Sequence, residues 1–213
     1  MSASPLKVAV IGAGTMGNGI AHVFAQSGHQ VSLIDVNAAA LERAEATIQR
    51  NLDRLVAKER ISADDKTATL SRLKTSTEMH GAVADADLVV EAATERLDLK
   101  LKIFEQIDAS APASAILATN TSSISITRIA AATGRPDQVI GMHFMNPVPI
   151  MKLVEVIRGY DTSDETTAFV VALSQQLGKV PVEVNDYPGF VANRILMPMI
   201  NEAICSLHEG VAG

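Results

Sequence analysis

The stretch VAVIGAGTMGNGIA, Val8 to Ala21, constrains this chain more than any other. The apolar run Val8-Ala9-Val10-Ile11 reads as a buried parallel strand. It leads without a spacer into Gly12-Ala13-Gly14-Thr15-Met16-Gly17 and then into a helical pattern that closes near Ser27 and Gly28. Strand, GxGxxG turn and helix in that order make a cradle for a pyrophosphate. Gly12 permits the tight turn, Gly14 lets the backbone approach the phosphates, and Gly17 lets the helix pack close to the strand. The helix N-terminus, with Ala13, Thr15 and Met16 beside it, then faces the anion. A second apolar strand, Val31 to Ile34, ends on Asp35, where a carboxylate meets the ribose hydroxyls of an adenosine. Val36 and not an arginine follows, so Asp35 would repel a ribose phosphate. The expected cofactor is NAD and not NADP.

The 213 residues, 47% of them hydrophobic, allow one large domain or one domain and part of another. A formal charge of −6 and few aromatic residues give no reason to expect nucleic acid. The N-terminal MSASPLK has no basic segment followed by a long apolar one, and no apolar run approaches bilayer length. Cys205 is the single cysteine, which excludes an internal disulfide and suits a reducing compartment. On a helical stretch it reads as a small apolar residue. A soluble, cytoplasmic protein without a membrane partner is expected.

Strand and helix patterns alternate from Val8 to Val184, which predicts a doubly wound α/β domain of Rossmann type over residues 1–186. Two successive helical patterns interrupt the alternation. The first runs from Ala38 to Arg60, and the second follows a capping box, Ser62-Ala63-Asp64-Asp65, to about Leu73. This inserted helical hairpin is expected to project and to meet a large ligand. Arg50, Arg54 and Lys58 recur at four-residue spacing on the first helix, a stripe suited to an anion such as a CoA phosphate. Glu42, Glu45, Asp53 and Glu59 lie among them, so on pattern alone a solvated face is the simpler reading. Asp164 is expected to cap a helix ending at Gly178. After Tyr187-Pro188-Gly189 the character changes: Phe190 to His208 is a mostly apolar helical run with no strand after it. Residues 187–213 are expected to open a second, all-helical domain, the rest of which lies outside this sequence.

Five polar residues fall at strand ends or in adjoining loops: Asn120, Ser122, His143, Asn146 and Glu155. Open α/β sheets bind ligands at that edge. His143 is the natural acid–base candidate, because an imidazole titrates near neutral pH. A short Pro-containing loop joins its strand to that of Glu155, so an antiparallel turn would bring the two together. The carboxylate would then fix the imidazole tautomer and stabilise the imidazolium. Glu155 also lies inside the apolar strand LVEVI, where an unpaired carboxylate is costly. A His–Glu pair can equally be structural, and the residues alone leave both readings open. His22, His29, His80 and His208 have no comparable setting and read as structural. No Cys, His or carboxylate cluster has metal-ligand spacing. Ser122 lacks a GxSxG elbow, which disfavours a nucleophilic serine.

GAGTMG, EAATE, NTSS, GMHFMNPVPIMKLVEVI and DYPGFVANR, in this order, resemble the L-3-hydroxyacyl-CoA dehydrogenase family, particularly bacterial 3-hydroxybutyryl-CoA dehydrogenases. The likeness covers nearly the whole chain. It implies NAD-dependent oxidation of an L-3-hydroxyacyl-CoA, or the reverse reduction, with His143 as base and Glu155 as its partner. Ser122 and Asn193 would hold the reacting oxygen, and Asn146 would meet the nicotinamide end of the cofactor. Asp35, Glu95, Lys100 and Ser122 fall on NAD contacts. Asn51 and Lys58 fall on CoA contacts, which favours the ligand reading for Lys58. Asn51 stands where some relatives have Ser, and Met145 where Phe is frequent; both bear only on local packing and CoA detail. A second helical domain that closes over the site and forms a homodimer is also implied. Without it this chain is expected to bind NAD but to turn over poorly. The competing readings are a dehydrogenase of a free hydroxy acid or sugar acid, and an NAD-binding protein without catalysis.

Overall fold

Eight strands, β1 (Lys7–Ile11), β2 (Gln30–Ile34), β3 (Leu73–Ser76), β4 (Leu88–Glu91), β5 (Ile116–Thr119), β6 (Val139–Phe144), β7 (Leu153–Arg158) and β8 (Val180–Asn185), form one sheet. Their order is β3-β2-β1-β4-β5-β6-β7-β8 in the computed structural model, which describes residues 4–211. The first six strands are parallel to one another. β7 then runs antiparallel to β6, and β8 parallel to β7. From β1 the chain moves outward to β2 and β3, then returns to lay β4 on the other side of β1. Connections leave β1 and β4 in opposite directions, which opens a crevice at their carboxyl ends.

The central strands are apolar because both faces are covered. Val8 and Val10 of β1 face a cluster with Ile20 and Phe24 of α1 (Thr15–Gln26), Leu41, Ile48 and Leu52 of α2 (Ala38–Ala57), and Val170 and Leu173 of α7 (Asp164–Gln176). Ala9 and Ile11 face the opposite cluster. There they join Val83 of α4 (Met79–Val83), Ile103, Phe104 and Ile107 of α5 (Leu97–Ser110), and Ile126 and Ile129 of α6 (Ile126–Ala130). This is the doubly wound Rossmann-type architecture that the sequence predicts.

Three details differ from expectation. α2 ends at Ala57, three residues early, and the chain turns through Glu59, whose φ is 54°. The hairpin of α2 and α3 (Ala63–Ser71) does not project freely. α3 packs against α1 and α2, because Leu41, Ala44, Ile48 and Leu52 give α2 a buried face within the core. The expected capping box is present, with Ser62 and Asp65 each satisfying the other's backbone amide. The cap of α7 is Ser163, which accepts from the amide of Thr166, so Asp164 is the first helical residue; its charge still suits a helix N-terminus.

α8 (Ala192–His208) follows the sheet and buries none of its residues. Ile195, Met199 and Ile204 are each about 60% exposed. Among the described residues no helix is long and apolar enough to cross a membrane.

Candidate active site

The glycine turn lies at the crevice. Gly12 has φ 101°, and a Cβ there would sit 2.6 Å from the Ala92 carbonyl oxygen at the end of β4. At Gly17 an added Cβ would lie 1.7 Å from the Gly12 carbonyl, so helix and turn touch backbone to backbone. Gly14 differs from both: a Cβ built on it meets nothing within 4 Å. The space over Gly14 is open, and it lies at the start of α1. That helix has no side-chain cap and no acidic residue in its first turn, so its N-terminal amides face the crevice without a competing anion.

Asp35, at the end of β2, is oriented by two backbone amides, those of Ala13 at 2.8 Å and Asn37 at 2.9 Å. It borders an apolar slot of about 440 Å³ that also includes Gly12, Gly14, Ala92, Ala93, Leu99 and Ile103. Pyrophosphate cradle, ribose carboxylate and apolar slot are the parts an adenosine dinucleotide requires, so these residues fit NAD. Ala92 and Ala93 also line the neighbouring cavity, of about 420 Å³, with Met16, Glu95, Asn120, Ser122, His143, Asn146 and Asn193. Ser122, His143, Asn146 and Asn193 therefore share one cavity that adjoins the slot beside Asp35, while Glu155 lies outside its lining and reaches it through His143.

His143 and Glu155 are paired across β6 and β7 in register. His143 Nδ1 lies 2.8 Å from Glu155 Oε2, and both side chains are buried. Burial alone would raise the proton affinity of Glu155. The hydrogen bonds from His143 and from the amides of Ala192 and Val191 outweigh it and hold the carboxyl below its ordinary value. An ionised carboxylate only accepts, so Nδ1 donates to Glu155 and Nε2 is the ring nitrogen outside that pair.

A second carboxylate network holds the loop after β5. Glu95 accepts from the amide of Ser122 at 2.9 Å, from the hydroxyls of Ser122 and Ser123 at 3.3 and 3.2 Å, and from the Thr121 hydroxyl. Its pKa is lowered although burial opposes this; the donors and the Lys100 charge prevail. Lys100, expected at the cofactor, places its ammonium 2.7 and 2.8 Å from the two Glu91 oxygens, with Glu95 at 3.5 Å. It is 1% exposed, so its visible work is to neutralise Glu91 beneath the site.

Asn51 and Lys58 meet in a separate cavity of about 510 Å³, with Arg54, Arg60, Pro149 and Ile150. Two cations besides Lys58 thus face it, while Arg50 of the same stripe bonds Thr47 instead. Among the described residues no group of three or more His, Cys, Asp or Glu is placed to hold a metal ion.

Sequence reasoning missed Glu91, although a carboxylate closing the apolar run LVV carries the same signal that singled out Glu155. It also gave no role to the amides of Val191 and Ala192, for which no side-chain pattern exists. Asn120 was singled out without a task. Its Oδ1 accepts from the Phe144 amide at 2.9 Å and ties the end of β5 to β6 beside His143.

A switch-point crevice with an open glycine turn, joined to a cavity holding a His–Glu pair, defines an NAD-binding dehydrogenase domain. Residues 7–187 match the family model described as 3-hydroxyacyl-CoA dehydrogenase, NAD binding domain, and the chain belongs to that family. A probable 3-hydroxybutyryl-CoA dehydrogenase of Deinococcus radiodurans is 51% identical over 207 residues, covering 97% of this chain and 74% of that protein. The 3-hydroxyadipyl-CoA dehydrogenase of Escherichia coli is 48% identical over 96% of this chain and 43% of its own length. The crystal structure of (S)-3-hydroxybutyryl-CoA dehydrogenase from Ralstonia eutropha superposes with a TM-score of 0.94 at 54% identity. That match covers 99% of this chain and 74% of the other.

Proposed function

We propose that this chain oxidises the 3-hydroxyl of an L-3-hydroxyacyl-CoA to the ketone and catalyses the reverse reduction, with 3-hydroxybutyryl-CoA as substrate. The observation that carries the proposal is the His143–Glu155 pair, buried at the end of a cavity that adjoins the glycine turn. Bound NAD supplies the hydride acceptor. His143 Nε2 removes the hydroxyl proton, and Glu155 stabilises the imidazolium that forms. Ser122 and Asn193 hold the reacting oxygen. Their spacing supports this role, because Asn193 Nδ2 lies 3.3 Å from the Ser122 carbonyl in the same cavity. Asn146, which lines the same cavity, orients the nicotinamide end.

Gly12, Ala13, Gly14, Thr15, Met16 and Gly17 take the pyrophosphate, and Asp35 takes the adenosine ribose. Glu95 shapes the loop that carries Ser122, and Lys100 acts through Glu91 and Glu95. Lys58 and Asn51, with Arg54 and Arg60 beside them, take the anionic CoA end. Residues 1–186 form the cofactor domain, and 187–213 belong to a helical unit. The exposed Ile195, Met199 and Ile204 of α8 support its pairing in a homodimer.

The deciding experiment follows NADH absorbance after addition of acetoacetyl-CoA, with NADPH in parallel. Oxidation of NADH well ahead of NADPH is expected. Equal rates with acetoacetyl-CoA and free acetoacetate would instead indicate an enzyme of unesterified acids.

A further inference from the structure

Helix α8 starts on a carboxylate that it does not own. The amides of Val191 and Ala192 donate to Glu155 Oε1 at 2.9 and 2.8 Å, while Oε2 faces His143. α8 has no side-chain cap and no acidic residue in its first turn, so Glu155, 36 residues upstream of Val191, supplies the missing acceptor. The two amides are turned toward it by successive left-handed residues, Gly189 at φ 79° and Phe190 at φ 48°. A phenylalanine in that region is strained and persists only where its surroundings over-determine it. Here the Phe190 ring is 2% exposed, and its centroid lies 6.0 Å from that of the His143 ring. Asn193, which follows Ala192, reaches the Ser122 carbonyl.

We propose that the Gly189–Ala192 turn is a positioning device for the acid–base pair. The register of β6 and β7 places Glu155 opposite His143. It leaves the carboxylate free to rotate about its terminal torsion, which is broad and two-fold. Two amides on Oε1 remove that freedom and present Oε2 to Nδ1. The orientation of His143 is therefore conditional on the docking of α8, and Phe190 is a positioning residue through its backbone and its ring. The catalytic consequence rests on the function proposed above; the geometric claim does not.

The test uses the chain itself, labelled with nitrogen-15. The Nδ1–H proton of His143 is assigned by its loss in His143→Gln. It should resonate downfield and exchange slowly with water, as a proton held by an ionised carboxylate does. Exchanging Ala192 for its α-hydroxy acid turns one amide into an ester and removes a single donor while leaving every side chain in place. Gly189→Ala disturbs the same turn differently, because its Cβ would meet the Arg194 amide nitrogen at 3.2 Å in an already left-handed residue. Both variants should speed exchange of the His143 proton about tenfold or more and lower kcat by about as much, the loss of one charge-assisted bond. NADH affinity should stay within about twofold, a split that a merely structural role would not produce. An unchanged His143 resonance in the ester variant overturns the proposal. Equal rates with acetoacetyl-CoA and free acetoacetate would refute the substrate class assigned above, while the resonance still decides this inference.

Discussion

Asp35 accepts a hydrogen bond from the amide of Ala13 at 2.8 Å, although 22 residues separate them. The bond joins the end of β2 to the glycine turn and holds the carboxylate at the edge of the nucleotide slot. Val36 beside it is 93% exposed and uncharged, and among the described residues no lysine or arginine lines the slot. Cofactor choice follows from this one relationship.

Asp35→Asn keeps the shape and the backbone acceptor but removes the charge. The preference for NADH over NADPH should narrow about tenfold, the difference between a charged and a neutral hydrogen-bond acceptor. The ratio of kcat/KM values for the two cofactors checks it, and an unchanged ratio would assign discrimination elsewhere.

Two glycines of one motif should respond in opposite ways. Gly17→Ala places a Cβ against the Gly12 carbonyl and should destabilise the fold by about 3 kcal/mol or more, as overpacking against backbone does. Gly14→Ala meets open space and should leave the urea midpoint unchanged. It should weaken NADH binding about tenfold or more, because the added methyl occupies the pyrophosphate's approach. Titration of NADH fluorescence separates the two effects.

His143→Ala should lower kcat about 100- to 10,000-fold while NADH affinity is kept, the usual size of a lost general base. Steady-state turnover of acetoacetyl-CoA at saturating NADH measures it. Near wild-type turnover would remove His143 from the mechanism.

Lys100 and Glu91 are 1% and 0% exposed, so neither charge has water to fall back on. Lys100→Met strands the Glu91 carboxylate and should cost about 3–5 kcal/mol in urea unfolding. Adding Glu91→Gln to that variant should recover part of the loss. If the single and double variants are equally unstable, packing and not charge is what the lysine supplies.

Acid should loosen α6. Burial would raise the Asp186 pKa, but donation from the Ser125 hydroxyl and from Thr127 and Ile126 outweighs it, and the carboxyl is held below its ordinary value. A carboxyl with a depressed folded pKa adds stability that is complete above its unfolded pKa, near 4, and is lost as pH falls through the folded value. Asp186→Asn should therefore destabilise the protein at pH 7 and flatten the fall in urea midpoint below about pH 4. A fall as steep as that of the wild type would exclude Asp186 as its source.

Much of the candidate nucleotide site is legible in the sequence, because its parts are local. A buried strand, a turn needing glycines and a helix N-terminus lie within Val8–Ala21, and Asp35 ends the next strand. The His143–Glu155 pair was also within reach, since a short loop between two strands nearly dictates their register. What the tertiary structure decided are contacts between elements far apart in the chain. It laid the hairpin of α2 and α3 along α1, and it buried Lys100 on Glu91. It also set Asp186 on α6 across about 60 residues and gave Glu155 the first amides of α8. Backbone amides leave no mark in a sequence, and a buried ion pair reads as two surface charges until the fold removes the water. The chemistry proposed for the reacting centre is therefore encoded by residue type, and the orientation of its groups by packing.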